Sequence, residues 1–201
     1  MTAAPSSEIA SLLGSRICHD LISPIGAISN GVELLRMSGG PSGPEIDLIS
    51  ESVDNANARI RFFRVAYGAA SSEQTISANE VRDILADMGR SNRLQIEWLS
   101  TADLPRFQVK LTFLLLQCVE AALPWGGQVS VHAEGEMCRI NVSSDRMKLE
   151  EGLWQYLQGG EAHPEEVGAA EVQFLLLPLM LQATGRRLAM DRRENELILR
   201  M

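Results

Sequence analysis

Positive charge is what this chain most lacks: 18 basic residues stand against 26 acidic ones in 201, a formal charge of −8. A nucleic-acid binder needs a basic face to displace counterions from phosphates, so small ligands or protein partners are expected instead. Cysteine is scarce too. Cys18, Cys118 and Cys138 are odd in number, widely spaced and without a CxxC element, so neither a disulfide framework nor a zinc site is indicated, and they read as structural thiols. A long apolar run is missing as well, FLLLPLML being far too short to cross a bilayer. The first residues, MTAAPSSEIASLLGSR, have no basic segment followed by a long apolar core, so no signal peptide is read there. A cytoplasmic protein with no membrane contact is the expectation. There is no internal repeat and no low-complexity tract.

What is present is an apolar fraction of 45%, enough for one medium domain or two small ones with true cores. Over residues 9–37, Leu13, Ile17, Leu21, Ile25, Ile28, Val32 and Leu35 recur every three or four positions, which predicts one long helix. SGGPSGP then forms an interhelical loop, with Pro44 suited to open the next helix. The second helix carries Ile46, Ile49, Val53, Ala56, Ile60, Phe63 and Tyr67, the spacing of a bundle seam. Each stripe is wider than one partner helix can cover, so the hairpin over residues 1–70 is expected to pair with a second copy as a dimeric four-helix bundle, with Ile46, Ile49, Val53, Ile60 and Phe63 at the seam.

After a break at residues 68–74 the texture changes. SANEVRDILADMGR predicts a helix capped by Ser77 with Glu80 three positions on, and LQIEWLS a strand. RFQVKLTFLLLQCVEAAL predicts a helix, QVSVHAEG and MCRINVSSD a hairpin, EEGLWQYLQGG and EEVGAAEVQFLLLPLMLQATG two more helices, and RLAMDRRENELILRM a final strand pair. Residues 74–201 are therefore expected to form an α/β layer domain, making the chain α+β overall.

One short stretch of the first helix, SRICHDLISPIG, breaks the pattern. With each residue set about 100° further round the helix, His19 falls opposite the apolar stripe and faces solvent. Around it the outer face is small and partly apolar: Leu12, Ser15, Ile22, Ser23 and Gly26. Gly26 costs about 1 kcal/mol relative to alanine, and Pro24 removes a backbone donor and should kink the helix just beyond the histidine. Such local costs gathered around one side chain are expected at functional positions. An exposed imidazole beside a carboxylate suits nucleophilic chemistry, because Asp20 can hold one ring nitrogen protonated and leave the other a free lone pair.

His19, Asp20, Leu21 and Pro24 resemble the H-box of two-component histidine kinases, H-[ED]-L-x-x-P, and the element order that follows resembles their ATP-binding domain. Three boxes depart from it. In place of N-L-L-x-N-A the chain has LLQCVEA, with Leu116 and Glu120 in the asparagine positions. NVSSDRMKLEEG replaces D-x-G-x-G, and VGAAEVQFLLLP replaces the glycine-rich lid. Triphosphate binding needs closely approaching backbone amides and a metal ligand, and these stretches offer neither. A histidine-bearing hairpin joined to an eroded nucleotide-binding fold resembles the ChpT family of bacterial histidine phosphotransferases. That resemblance implies a homodimer relaying phosphoryl groups between response-regulator receiver domains, the donor being the receiver of a hybrid kinase and the acceptor a response regulator. His19 would be the phosphoacceptor and Asp20 its orienting neighbour, while Leu12, Ser15, Arg16, Ile22, Ser23 and Gly26 would dock the receiver. No cofactor of its own is implied, nor a nucleotide or metal site; the receiver would bring Mg²⁺.

Two other readings compete: a divergent kinase that autophosphorylates His19, and a non-catalytic receiver-binding dimer. The remaining features read plainly. His132 is a half-exposed strand residue, His163 a loop residue beside Pro164, and Trp98, Trp125 and Trp154 are core or packing anchors of the second domain. Arg59, Arg61 and Arg64 form a solvated face.

Overall fold

The hairpin begins with α1 (Ser6–Ser38), which returns as α2 (Gly43–Ala66), and their closeness is set by a glycine. A Cβ at Gly31 would stand 2.6 Å from Cγ1 of Ile49, so any side chain there would have to displace Ile49. The computed structural model describes residues 6–38, 43–71, 73–90, 94–160 and 167–201. Most of the SGGPSGP loop and His163 thus lie outside the described residues. α1 passes through Pro24 as a single helix, with Pro24 itself buried.

The base of α2 is continuous with the core of the second half. Phe62 stacks on Phe113 with ring centroids 4.6 Å apart, and Phe62, Phe63, Val65 and Ala66 are all buried in one apolar cluster with that domain. The end of α2 leaves carbonyls that no further turn can satisfy. Side chains from the next domain take them: Arg106 Nη2 donates to the Arg64 carbonyl at 2.8 Å and Lys110 Nζ to the Gly68 carbonyl at 2.7 Å. Burial, with Arg106 nearby, lowers the pKa of Lys110. Arg61 reaches Asp87 at 2.7 Å, and Tyr67 Oη donates to Gln117 Oε1 at 2.5 Å. Burial raises the Tyr67 phenol to about 12, so at neutral pH it serves as a neutral donor.

Beyond this junction come β1 (Thr75–Ile76), α3 (Ala78–Arg90), β2 (Leu94–Trp98) and β3 (Leu104–Pro105). α4 (Arg106–Ala122), β4 (Gly127–Glu134), β5 (Met137–Ser143) and α5 (Glu151–Leu157) follow. The chain closes with a single 3₁₀ turn (Ala169–Glu171), α6 (Val172–Ala183), β6 (Ala189–Arg192) and β7 (Glu196–Arg200). Five strands form one sheet in the order β2-β4-β5-β7-β6, with β2 parallel to β4 and the other pairs antiparallel. Period-two alternation explains its two faces. Val129, Val131, Ala133, Cys138, Ile140, Val142, Leu197 and Leu199 are buried in the core with α4, while Gln128, His132, Arg139 and Ser143 face outward. The expected α+β architecture is the observed one, with a small antiparallel pair, β1 with β3, that period counting missed because each strand has only two residues.

Of the expected core or packing anchors, Trp98 and Trp154 are in the core, and Trp125 is 48% exposed and packs under the Arg146 guanidinium, 4.1 Å from its ring centroid. The thiols also divide. Cys118 and Cys138 are buried, and burial raises both their pKa values, whereas Cys18 is exposed.

Two outcomes follow from this packing. Thiol titration of the native chain should count one fast cysteine, Cys18, and three after denaturation; three fast native thiols would contradict the described core. Gly31→Val should cost about 1–3 kcal/mol by overpacking, read as a lower urea midpoint at constant m-value, and an unchanged midpoint would refute the close crossing.

Candidate functional site

The site begins with a buried charge that must be paired. Asp20 lies on the inward-turning flank of α1 with its side chain only 9% exposed, and a carboxylate there is stable only if other groups replace its water. Three side chains do so. Arg16, one turn earlier, donates from Nε to Oδ2 at 2.8 Å, Arg59 of α2 brings Nη1 within 3.6 Å of the same oxygen, and His19 places Nδ1 3.1 Å from Oδ1. Arg59 is itself steadied by donating from Nε to Asn55 Oδ1 at 3.0 Å.

Because a carboxylate only accepts, the His19 nitrogen facing it carries the proton. The other nitrogen, Nε2, then has a lone pair, and the ring around it stands in solvent at 82% exposure. Asp20 therefore fixes the ring's tautomer and orientation together, as hydrogen-bonded carboxylates do for imidazoles elsewhere. The helix explains why the two neighbours differ so much in exposure: a step of about 100° carries His19 outward and Asp20 toward α2.

Around the imidazole, Ser15, Cys18, Ile22, Ser23 and Gly26 are exposed and Leu12 is half-buried. Ile22 is 70% exposed, and a Cβ at Gly26 would meet nothing within 4 Å, so no contact among the described residues accounts for the glycine. Arg16 does not share this outward face. Its side chain is 16% exposed, and its Nη1 donates to the carbonyl of Ala170, so among the expected docking residues Arg16 sits at the domain junction rather than on the open face. Arg59 is likewise no solvated bystander. The Arg16 to Asp20 spacing of four was legible as a helix pair; Arg59 could be found only from the register of α2 against α1.

The expected seam also divides. Ile46, Val53 and Ile60, seven residues apart, are 43%, 39% and 44% exposed, and Ile25 and Val32 of α1 are 56% and 37% exposed. Phe63 is instead 7% exposed inside the chain's own core, and Ile49 packs on Gly31, so these two face their own chain. Beside Arg16 at the domain junction there is a cleft of about 300 Å³, whose lining includes Gln117, Glu120, Lys148, Glu150 and Glu171. Its lysine is committed to Glu150 at 2.7 Å.

Comparison with known proteins agrees with this architecture. The family described as histidine phosphotransferase C-terminal domain matches residues 78–196. The protein phosphotransferase ChpT of Brucella abortus (strain 2308) is 32% identical over 197 residues, covering 95% of this chain and 93% of its own. A solved bacterial phosphotransferase superposes with a TM-score of 0.83 at 29% identity, covering 99% of this chain and 98% of that one. With its matched C-terminal domain and a relative aligned along nearly its full length, the chain belongs to the histidine phosphotransferase family.

Proposed function

We propose that the protein relays phosphoryl groups between receiver domains through His19, without using ATP. The observation that carries this reading is the exposed imidazole whose Nδ1 is held by Asp20 while Nε2 faces open solvent on a face of small and apolar residues. In the first step the Nε2 lone pair attacks the phosphorus of an aspartyl phosphate on a donor receiver. The N–P bond forms as the P–O bond to the aspartate breaks, and the carboxylate leaves with the electron pair. The ring proton stays on Nδ1, where the negative charge of Asp20 compensates the positive charge that the ring acquires. Transfer to the aspartate of a second receiver is the same step in reverse. The receiver contributes Mg²⁺, so the work of this chain is positioning.

Gly26 and Ile22 fit a partner that comes close to the helix backbone below the histidine. The exposed apolar residues Ile25, Val32, Ile46, Val53 and Ile60 fit a second copy of the hairpin, since heptad spacing on one face is the pattern of helix–helix seams. The kinase alternative is disfavoured by charge: three glutamates, Glu120, Glu150 and Glu171, line the cleft against two cations, Arg16 and Lys148, both already engaged. A triphosphate there would meet carboxylates where it needs amides and a metal.

Incubation with a labelled phospho-receiver should label the protein, and His19→Ala should abolish the label; label surviving that substitution would refute the assignment, and label from ATP alone would restore the kinase reading. Gly26→Phe should leave the thermal midpoint unchanged or higher, because helical propensity favours the change and open space receives the ring, yet it should slow transfer about tenfold or more by blocking the partner's approach. Equal transfer rates would place docking elsewhere. In sedimentation the wild type should be a dimer and Val53→Glu with Ile60→Glu a monomer, whereas a monomeric wild type would remove the four-helix bundle from the account.

A further inference from the structure

We propose that Arg16 is a positioning residue for transfer at His19 and that the C-terminal domain takes part in the reaction by holding it. The inference rests on His19 being the phosphoacceptor. Arg16 makes two directed contacts with one planar guanidinium: Nε to Asp20 Oδ2 at 2.8 Å along α1, and Nη1 to the Ala170 carbonyl across the domain junction. A guanidinium's donors form a rigid fork, so fixing one arm on Ala170 fixes the direction from which the other grips Asp20. With Oδ2 so occupied, Oδ1 is the oxygen turned to His19 Nδ1.

The Ala170 carbonyl is itself presented by a closed turn. Glu171 Oε2 accepts from the Gly168 backbone N–H at 3.0 Å, the Glu171 N–H returns to the Gly168 carbonyl at 3.0 Å, and Gln173 Nε2 also donates to the Ala170 carbonyl at 3.1 Å. A continuous line of directed contacts therefore runs from this turn through Arg16 and Asp20 to the reactive ring, joining residues 154 positions apart in sequence. It gives the eroded domain a task that needs no nucleotide.

The chemical consequence concerns the imidazole tautomer. An unconstrained neutral histidine favours the proton on Nε2, and in that form the atom facing the receiver has no lone pair to attack phosphorus. Asp20 reverses the preference only while Oδ1 stays on Nδ1. Without Arg16 the remaining cation at Asp20 is Arg59, 3.6 Å from Oδ2 on the side of α2, and it draws the carboxylate away from the ring. The fraction of competent ring then falls although the docking face is untouched.

The test uses the full chain with ¹⁵N-labelled histidine, whose ring nitrogen shifts report the tautomer, together with transfer from a phospho-receiver at saturating concentration. Arg16→Ala should move His19 toward the Nε2–H form and slow the maximal rate roughly 10- to 100-fold while leaving the half-saturating receiver concentration unchanged. Arg16→Lys should recover part of the rate. Glu171→Ala, which makes no contact with His19, should reproduce part of both effects, and the double variant should be no slower than Arg16→Ala. If Arg16→Ala fails to fold, Glu171→Ala decides alone. A wild-type tautomer and maximal rate in the variants would overturn the proposal, as would a loss confined to receiver affinity. If wild-type His19 takes no label at all, the acceptor reading fails, and the tautomer comparison still stands or falls by itself.

Discussion

One carboxylate, that of Asp20, governs the arrangement of the N-terminal half. It is too buried to be left to water, and its two oxygens divide its partners: Oδ2 takes the arginines of α1 and α2, and Oδ1 takes the ring of His19. The pairing that makes the charge tolerable also sets the imidazole. On the proposed reading, structure and reactivity share one electrostatic solution, because the groups that compensate Asp20 also orient the ring of His19.

The rest of the chain can be understood as what keeps that carboxylate in place. Gly31 lets α2 come close enough for Arg59 to reach Asp20, and the buried base of α2, stacked on Phe113 and capped by Arg106 and Lys110, fixes α2 to the second domain. The sheet and α4 form the rigid layer behind that junction. A second domain that braces α2 and holds Arg16 has a physical role in a protein whose proposed chemistry lies on one exposed ring.

Much of this was legible in the sequence, for a definite reason. Long periodic helices, a glycine- and proline-rich loop and alternating strands declare themselves through local spacing, so the hairpin, the α/β layer and the outward placement of His19 followed from periods of 3.6 and 2. What local spacing cannot carry is the register between elements. Phe63 and Ile49 share the heptad of Val53, yet they face their own chain, and Arg16 shares the flank of the exposed residues around His19, yet it turns to Ala170. Arg59 looked solvated because its partner lies on another helix. Whether Trp125 packs in the core or at its edge was likewise not legible, and at its turn a neighbouring arginine covers one face of the ring.

The role proposed for Asp20 and His19 turns on which atom takes the phosphoryl group. Correlation of ³¹P with the ring nitrogens of ¹⁵N-labelled protein, recorded after phosphorylation by a receiver at alkaline pH where phosphoramidates persist, identifies that atom. The geometry of Asp20 and His19 predicts phosphorus bonded to Nε2 of His19, with Nδ1 still turned to the carboxylate. Phosphorus on Nδ1, or on any other residue, would contradict it.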